Sequence, residues 1–325
     1  MEIQPGIHRL ESRVGPRYLF QHMLVGERIL LVDSGMAHTP QEVIFPYLRS
    51  MGYEPTRIDY LLITHPDSDH FGGNAEIREA APRAFILCGH ADRRMIENPD
   101  VLLRERCGRY ERDHEIAYST EDKQRIARMA GKATAVDISL VGGEEISLAR
   151  NWRVRALLTP GHSHGHLTVY DDRSQTGIIG DAVLWRGIPE VGGEMMLPPS
   201  YILPSAYLAT IQMLENLPLK FLLTSHYRAL QGNDIKVFFQ QSREFCLSAE
   251  QLLVDLLAHS GTPLTLKEII AALNPQLGPF HSQRVLDLAY PLEGHIGELV
   301  RAGRIEELRS APPVSYRLRA DARPK

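Results

Sequence analysis

Four side chains able to hold a divalent metal, His65, Asp67, Asp69 and His70, fall close together in Thr64-His65-Pro66-Asp67-Ser68-Asp69-His70-Phe71-Gly72-Gly73. Neutral imidazoles and carboxylates together bind divalent ions and leave a position open for water. His65 and Asp67, two apart in extended chain, can face one ion, and Asp69 and His70, around a turn, can face another. Two ions sharing a water depress its pKa enough to supply hydroxide near neutrality, and they polarise a carbonyl or phosphoryl oxygen. Similar groups recur later: His162, His164 and His166 within Thr159 to His166, Asp181 after Gly180, and His226 after Ser225. Asp33, in Asp33-Ser34-Gly35, is a further carboxylate that could approach the same place, or a simple turn former.

The positioning elements are strands. Tyr60-Leu61-Leu62-Ile63 has the apolar run of a buried strand in a mostly parallel sheet, and the chain then turns through Pro66 and Ser68 toward a helix signalled by Gly72-Gly73-Asn74 and stopped by Pro82. Ligands of open α/β sheets gather at the carboxyl ends of strands, where this motif lies. Short strands are expected within residues 7–33, at 84–88, 135–138, 145–148, 152–158, 167–170, 176–179 and 219–223, with helices at 40–51 and 205–216. The early β-α-β-α-β order gives an α/β class. His162, Asp181 and His226 each follow one of these strands.

Between residues 91 and 132 the texture changes to charged segments of little β character, a helical insertion placed to act as a lid. Tyr110, His114 and Tyr118 are spaced by four, so one helix face would carry them toward a substrate cavity. The other reading is an amphipathic helix docked on its own domain. Residues 185–204 are rich in Gly and Pro, and Met195, Met196 and Tyr201 are further cavity-lining candidates.

Composition bounds the rest. The chain has 325 residues, 43% of them hydrophobic and 23% charged, which allows a domain of about 250 residues plus a small one. A formal charge of -4 excludes a globally basic nucleic-acid binder and leaves room for a local basic surface. Cys88, Cys107 and Cys246 have neither disulfide-framework nor zinc-ribbon spacing. The first residues lack a secretory pattern and no run approaches a membrane span, so the expectation is a cytoplasmic protein without membrane attachment.

After Gly232 the pattern becomes helical, with a connecting helix through Phe238, Phe245 and Leu253. A Thr-capped helix follows at 265–273, then another at 294–302, and a two-stranded wing at 303–306 and 315–318. This is the outline of a winged helix-turn-helix. Arg301, Arg304, Arg309, Arg317, Arg319 and Arg323 form a basic strip diluted by Glu306, Glu307 and Asp321.

The ordered landmarks Asp33-Ser34-Gly35, the opening motif with Gly72-Gly73, Thr159-Pro160-Gly161-His162 with Gly165-His166, Gly180-Asp181 and Ser225-His226 resemble the metallo-β-lactamase fold superfamily. The resemblance covers about residues 7–230. It implies an αββα sandwich over residues 1–232, followed by a small α+β winged-helix-like module over 233–325 of the kind found in the branch related to glyoxalase II. It implies that His65, Asp67 and His162 surround a first metal, that Asp69, His70 and His226 surround a second, and that Asp181 bridges them. Asp69 would also orient the hydroxide, and His166 would support the site, while His164 has no family role and reads as solvent-facing or substrate-contacting.

Asp67 departs from the family pattern, which supplies a His there. A carboxylate adds negative charge and hardness, so zinc is the first expectation, with manganese or iron favoured more than in an all-imidazole site. Relatives with an acidic residue at this position include the flavodiiron proteins and the soluble domain of bacterial competence channels. The leading expectation is a dinuclear metal-dependent hydrolase of a small ester, thioester or lactone. The alternatives are a phosphodiesterase or nuclease, a catalytically silent metal-binding or interaction protein, and an iron redox enzyme. The expected partner is a small-molecule substrate, with a homodimer and nucleic acid left open.

Overall fold

In residues Ile58–Ile63 neighbouring side chains enter different cores: Leu61 and Ile63 pack with Phe45, Leu48 and Ile77, whereas Leu62 packs with Val154, Val169 and Leu223. A strand buried on both faces belongs to the middle of a layered fold. The computed structural model describes all residues except 279, 281–283, 311 and 321–325.

The first sheet contains β1 (Glu2–Gln4), β2 (Ile7–Val14), β3 (Arg17–Val25), β4 (Ile29–Val32), β5 (Ile58–Ile63), β6 (Phe85–Gly89) and β7 (Ile138–Leu140), side by side in chain order. The second contains β8 (Glu145–Ala149), β9 (Trp152–Leu158), β10 (Leu167–Asp171) and β11 (Thr176–Gly180), and continues past a small hairpin of β12 (Ile188–Pro189) and β13 (Met195–Leu197) to β14 (Phe221–Thr224) and β15 (Leu230–Gln231). Its spatial order is β15-β14-β11-β10-β9-β8. Leu30, Val32, Leu62 and Leu87 of one sheet meet Val154, Val169, Ile178 and Leu223 of the other in a shared apolar layer. Helices cover the outer faces, which gives the αββα sandwich.

The first sheet is mixed, not mostly parallel. Pairs from β1 to β4 are antiparallel and those from β4 to β7 are parallel. Short connections permit only antiparallel neighbours, and the helical crossovers after β4 permit parallel ones. The expected strand at 135–138 shifts to β7, because the Asp137 carboxylate instead accepts from Arg78 and from the Ile86 backbone N–H. Helix begins earlier than Gly72, at Ser68–Phe71, and resumes at Asn74–Ala80.

The insertion is mainly helical, in short pieces interrupted at residues 115–119, and its last helix is Thr120–Ala130, whose N-terminus is capped by the Ser119 hydroxyl accepting from Asp122 N–H. At the carboxyl end, helices Asn233–His259, Leu266–Leu277 and Ala289–Arg301 pack with β16 (Leu264–Thr265), β17 (Ile305–Leu308) and β18 (Ser315–Leu318). Thr265 and Glu268 close a capping box on the second of these helices. Their apolar core is continuous with that outside the second sheet: Tyr201, Tyr207 and Ile211 share it with Leu253, Leu292 and Ile296.

Candidate metal centre

Asp33 ends β4, and the motif from His65 follows β5. The loop carrying His162 follows β9, Asp181 follows β11, and His226 follows β14. All reach one edge of the sandwich. Three groupings of ligand atoms result, each within 4.8 Å: His65, Asp67 and His162; His65, His70 and Asp181; and Asp69, His70 and His226.

The hydrogen bonds around these rings determine which nitrogens stay bare. His70 Nδ1–H donates to Asp33 Oδ2 at 2.9 Å, and His226 Nδ1–H donates to the Tyr18 carbonyl at 2.8 Å. Thr64 gives its hydroxyl hydrogen to Asp33, so its oxygen accepts from His65 Nδ1–H at 2.9 Å. Each of these three rings therefore turns Nε2 inward, the nitrogen left to take a proton or a metal ion. Those atoms face Asp181 Oδ2 at 3.8 Å from His65, 3.8 Å from His70 and 3.2 Å from His226. Three nitrogens crowded on one carboxylate require a cation among them, a proton or a metal ion. His65 Nε2, His70 Nε2 and Asp181 Oδ1 are also buried without a hydrogen-bond partner. The donor set and its unmet valences fit a divalent metal.

The field points the same way. Burial opposes a charge on His70, but the carboxylates of Asp33 and Asp181 outweigh it and push the ring up to about 10. Burial, aided by His70 and His162, pulls His65 down to about 4. Burial also opposes ionisation of Asp181, yet His226 and His70 hold its carboxyl well below the usual carboxylate range. The pocket thus stabilises positive charge between His70 and Asp181.

Asp33 is built for this task. It adopts a left-handed backbone at φ 63°, uncommon for a residue with a side chain, and its carboxylate accepts from both the Thr64 N–H and hydroxyl as well as from His70. Gly180 allows the two strand ends to meet, because at φ +51° a Cβ there would lie 3.0 Å from Thr64 Oγ1. His166 accepts the Asp181 N–H on Nε2 at 3.2 Å and so donates from Nδ1 to Thr159 at 2.8 Å. Both ring nitrogens are then used, which places His166 beside the ligands and not among them.

Asp67 has a partner that sequence reasoning missed. Arg106, from the insertion, pairs with Asp67 through Nε and at 2.9 Å through Nη2, and the same Nη2 lies 3.1 Å from His162 Nε2. Burial disfavours an ionised Asp67, but Arg106 and the neighbouring His162 hold it well below the carboxylate range. The first grouping therefore already contains a cation. An arginine far away in sequence carries no local signal, although the charge-rich texture of 91–132 was the place to look.

Three cavity-lining expectations are corrected. Tyr110 and His114 do not share a continuous helix with Tyr118, because Glu115 turns left-handed at φ 56° and ends the short helix Glu111–His114. Tyr110 packs on Tyr290, and His114 stacks on Tyr316, so both bind the insertion to the carboxyl-terminal elements. Tyr118 does line the cavity, with its hydroxyl on Asp287 at 2.8 Å. Tyr201 is fully buried, stacked on Tyr207 and bonded to His295 at 2.9 Å. His164 is exposed and lines a separate surface cleft.

The basic strip is largely paired: Arg304 with Glu250, Arg309 with Asp113 and Glu307, and Arg317 with Glu306. Arg323 and Asp321 lie outside the described residues.

The model of the metallo-beta-lactamase superfamily domain matches residues 18–226, more than half of the chain and all three candidate ligand groupings. The chain belongs to that superfamily. The Bacillus subtilis protein named "Probable metallo-hydrolase YflN" is 23% identical over 250 residues, covering 72% of this chain and 89% of that protein. A metallo-beta-lactamase family protein from Thermus thermophilus, TTHA1429, superposes with a TM-score of 0.75 at 21% identity, over 98% of this chain and 100% of its own. A beta-lactamase domain protein from Burkholderia ambifaria gives 0.74 at 15% identity, over 98% and 93%. The fold of these two proteins is thus shared along almost the whole chain.

Proposed function

We propose that this chain hydrolyses a small ester, thioester or lactone in a metal-dependent reaction. Superfamily membership and the histidine and aspartate groupings support divalent-metal hydrolysis in general. The observation that carries it is the convergence of the Nε2 atoms of His65, His70 and His226 on Asp181. Asp69, His70, His226 and Asp181 would hold one ion, and His65, Asp67 and His162 a second with Asp181 between them. A divalent ion held there supplies polarisation of the scissile group and acidification of a water molecule.

The protein's own groups do the rest. Asp33 fixes the His70 tautomer and Thr64 fixes that of His65, so neither ring needs to reorganise during reaction. Asp69 lines the cavity beside His70 and His226 and would take the proton of the attacking water. Zinc is the first candidate, with manganese or iron favoured by the carboxylate of Asp67. Residues 1–232 would form the catalytic domain, and the winged-helix-like elements over 233–325 would serve it by walling the cavity.

Phosphodiester hydrolysis is the second reading, favoured by the arginines that line the cavity. Metal-loaded protein is to be assayed on a panel of aryl esters, thioesters and lactones, alongside bis(4-nitrophenyl) phosphate and a labelled oligonucleotide. Turnover on the first panel, lost in Asp69→Asn, is expected. Cleavage of the phosphodiesters alone would replace the first reading by the second.

A further inference from the structure

The cavity beside Asp69, Asp181 and His226 is also lined by Arg17, Arg106, Arg125 and Arg284. A second cleft opens outward from it, past Val14, Pro16 and Met196, and the two share Arg17, Arg125, Leu197 and Arg284. Three guanidinium groups therefore ring the neck between the metal centre and the outside. They come from three distant parts of the chain: the start of β3, the insertion helix Thr120–Ala130, and the segment before the turn Val285–Leu288. Folding brings them together on a passage that leads to the metal centre.

Their charges are not all balanced. Arg106 is taken by Asp67, Arg125 pairs with Asp122 at 2.7 Å, and Arg284 pairs with Asp287 at 2.7 Å. Arg17 has no carboxylate partner among the described residues, and its Nε is buried without a hydrogen-bond partner, as is Nε of Arg284. Burial pulls the Arg17 guanidinium below its ordinary value, Asp69 opposes this, Arg284 adds to it, and Asp181 and Asp287 oppose it further. Asp69 and Asp181 are committed to the histidine groupings. Arg17 is half-buried, and a guanidinium whose Nε is buried without a partner and whose fork has no carboxylate favours an anion that completes it. Guanidinium geometry matches carboxylate and phosphate oxygens in a bidentate manner.

We infer that this neck is an oxyanion-binding site, centred on Arg17 and flanked by Arg284 and Arg125, for a carboxylate or phosphate group carried by the substrate. The inference rests on the hydrolase reading only in taking the bound molecule to be the substrate. With its anion at the neck, a substrate places its scissile bond in the inner cavity, against Asp69 and His226. Ile188, Leu197 and Met129 offer apolar contact to the stem between the two. The carboxyl-terminal elements then contribute directly to specificity, through Arg284.

The test uses full-length, metal-loaded protein with Arg17→Gln, Arg17→Lys and Arg284→Gln, compared at equal metal content. Propionate and inorganic phosphate are titrated by calorimetry, and hydrolysis is compared between 4-nitrophenyl butyrate and the mono-4-nitrophenyl ester of glutarate. Arg17→Gln is expected to weaken at least one probe tenfold or more, with partial recovery in Arg17→Lys. The probe affected distinguishes carboxylate from phosphate. The kcat/KM ratio of the anionic over the neutral ester should also fall at least tenfold. If Arg17→Gln does not fold, Arg284→Gln carries the same comparison. Unchanged binding of both probes overturns the anion site. If both esters are hydrolysed at a ratio that the variants leave unaltered, the anion site falls and the hydrolase reading stands. If neither ester nor any thioester or lactone of the panel is hydrolysed while probe binding still depends on Arg17, the hydrolase reading falls and the anion site stands.

Discussion

At the scale of single residues, the centre works by assigning every ring nitrogen a task. Asp33 takes His70 Nδ1–H, Thr64 takes His65 Nδ1–H, and the Tyr18 carbonyl takes His226 Nδ1–H. Asp33→Asn can present its amide to His70 and lose the tautomer, and groups in this supporting position typically alter metal affinity by ~10–100-fold. Calorimetric zinc titration should show a loss in that range with the fold intact by circular dichroism. Arg106 makes a different prediction. Because it already neutralises Asp67, the His65/Asp67/His162 grouping should bind its metal more weakly than the one containing His70, giving two resolved affinities. Arg106→Met should bring these together, and two equal affinities in the unaltered protein would remove Arg106 from the account. Much of the candidate ligand set that the structure gathers was legible in the sequence, because histidine and aspartate at strand ends announce themselves locally. Arg106, Arg17 and Arg284 were not, since an arginine reads as surface until the fold shows what surrounds it.

At the scale of elements, strands deliver the ligands and the insertion closes over them. Gly72 lies at the seam: a Cβ there would come within 1.9 Å of the Met129 carbonyl, at the end of helix Thr120–Ala130. Gly72→Ala must push that helix away, so it should lower the melting temperature and raise KM together. The seam continues to the carboxyl-terminal elements, where Tyr290 packs on Tyr110 and donates to the Arg106 carbonyl at 3.3 Å. Removing a large buried aromatic costs ~3–5 kcal/mol, so Tyr290→Ala should be strongly destabilised in denaturant unfolding. The spacing of Tyr110, His114 and Tyr118 misled because periodicity cannot register a left-handed residue such as Glu115 that ends the helix between them. Strands such as β9 and β18 were readable at their observed bounds, since alternation or apolar runs there coincide with turn residues at both ends.

At the scale of the whole molecule, the apolar core passes without interruption from the second sheet into helices Asn233–His259 and Ala289–Arg301. A chain ending at residue 232 would expose that surface, so it should be insoluble or bind a hydrophobic dye strongly. Stability should also depend on pH through His22, which is buried, with Nε2 unpartnered, and is held well below its ordinary value by burial and by Arg9. Its folded pKa lies below the unfolded value of ~6.5, so the contribution is present above that pH and is lost as pH falls beneath it. His22→Leu should therefore raise the melting temperature more at pH 5.5 than at pH 8. Among the described residues no helix is long and apolar enough to cross a membrane. The central claim, that converging Nε2 atoms and Asp181 hold the metal on which hydrolysis depends, is tested most directly by one titration. Chelator-stripped protein is titrated with zinc, or with manganese, while turnover of an aryl ester is followed. The account predicts a rate near zero that rises and saturates within about two equivalents per chain. A substantial rate in the stripped protein that metal does not change would contradict it.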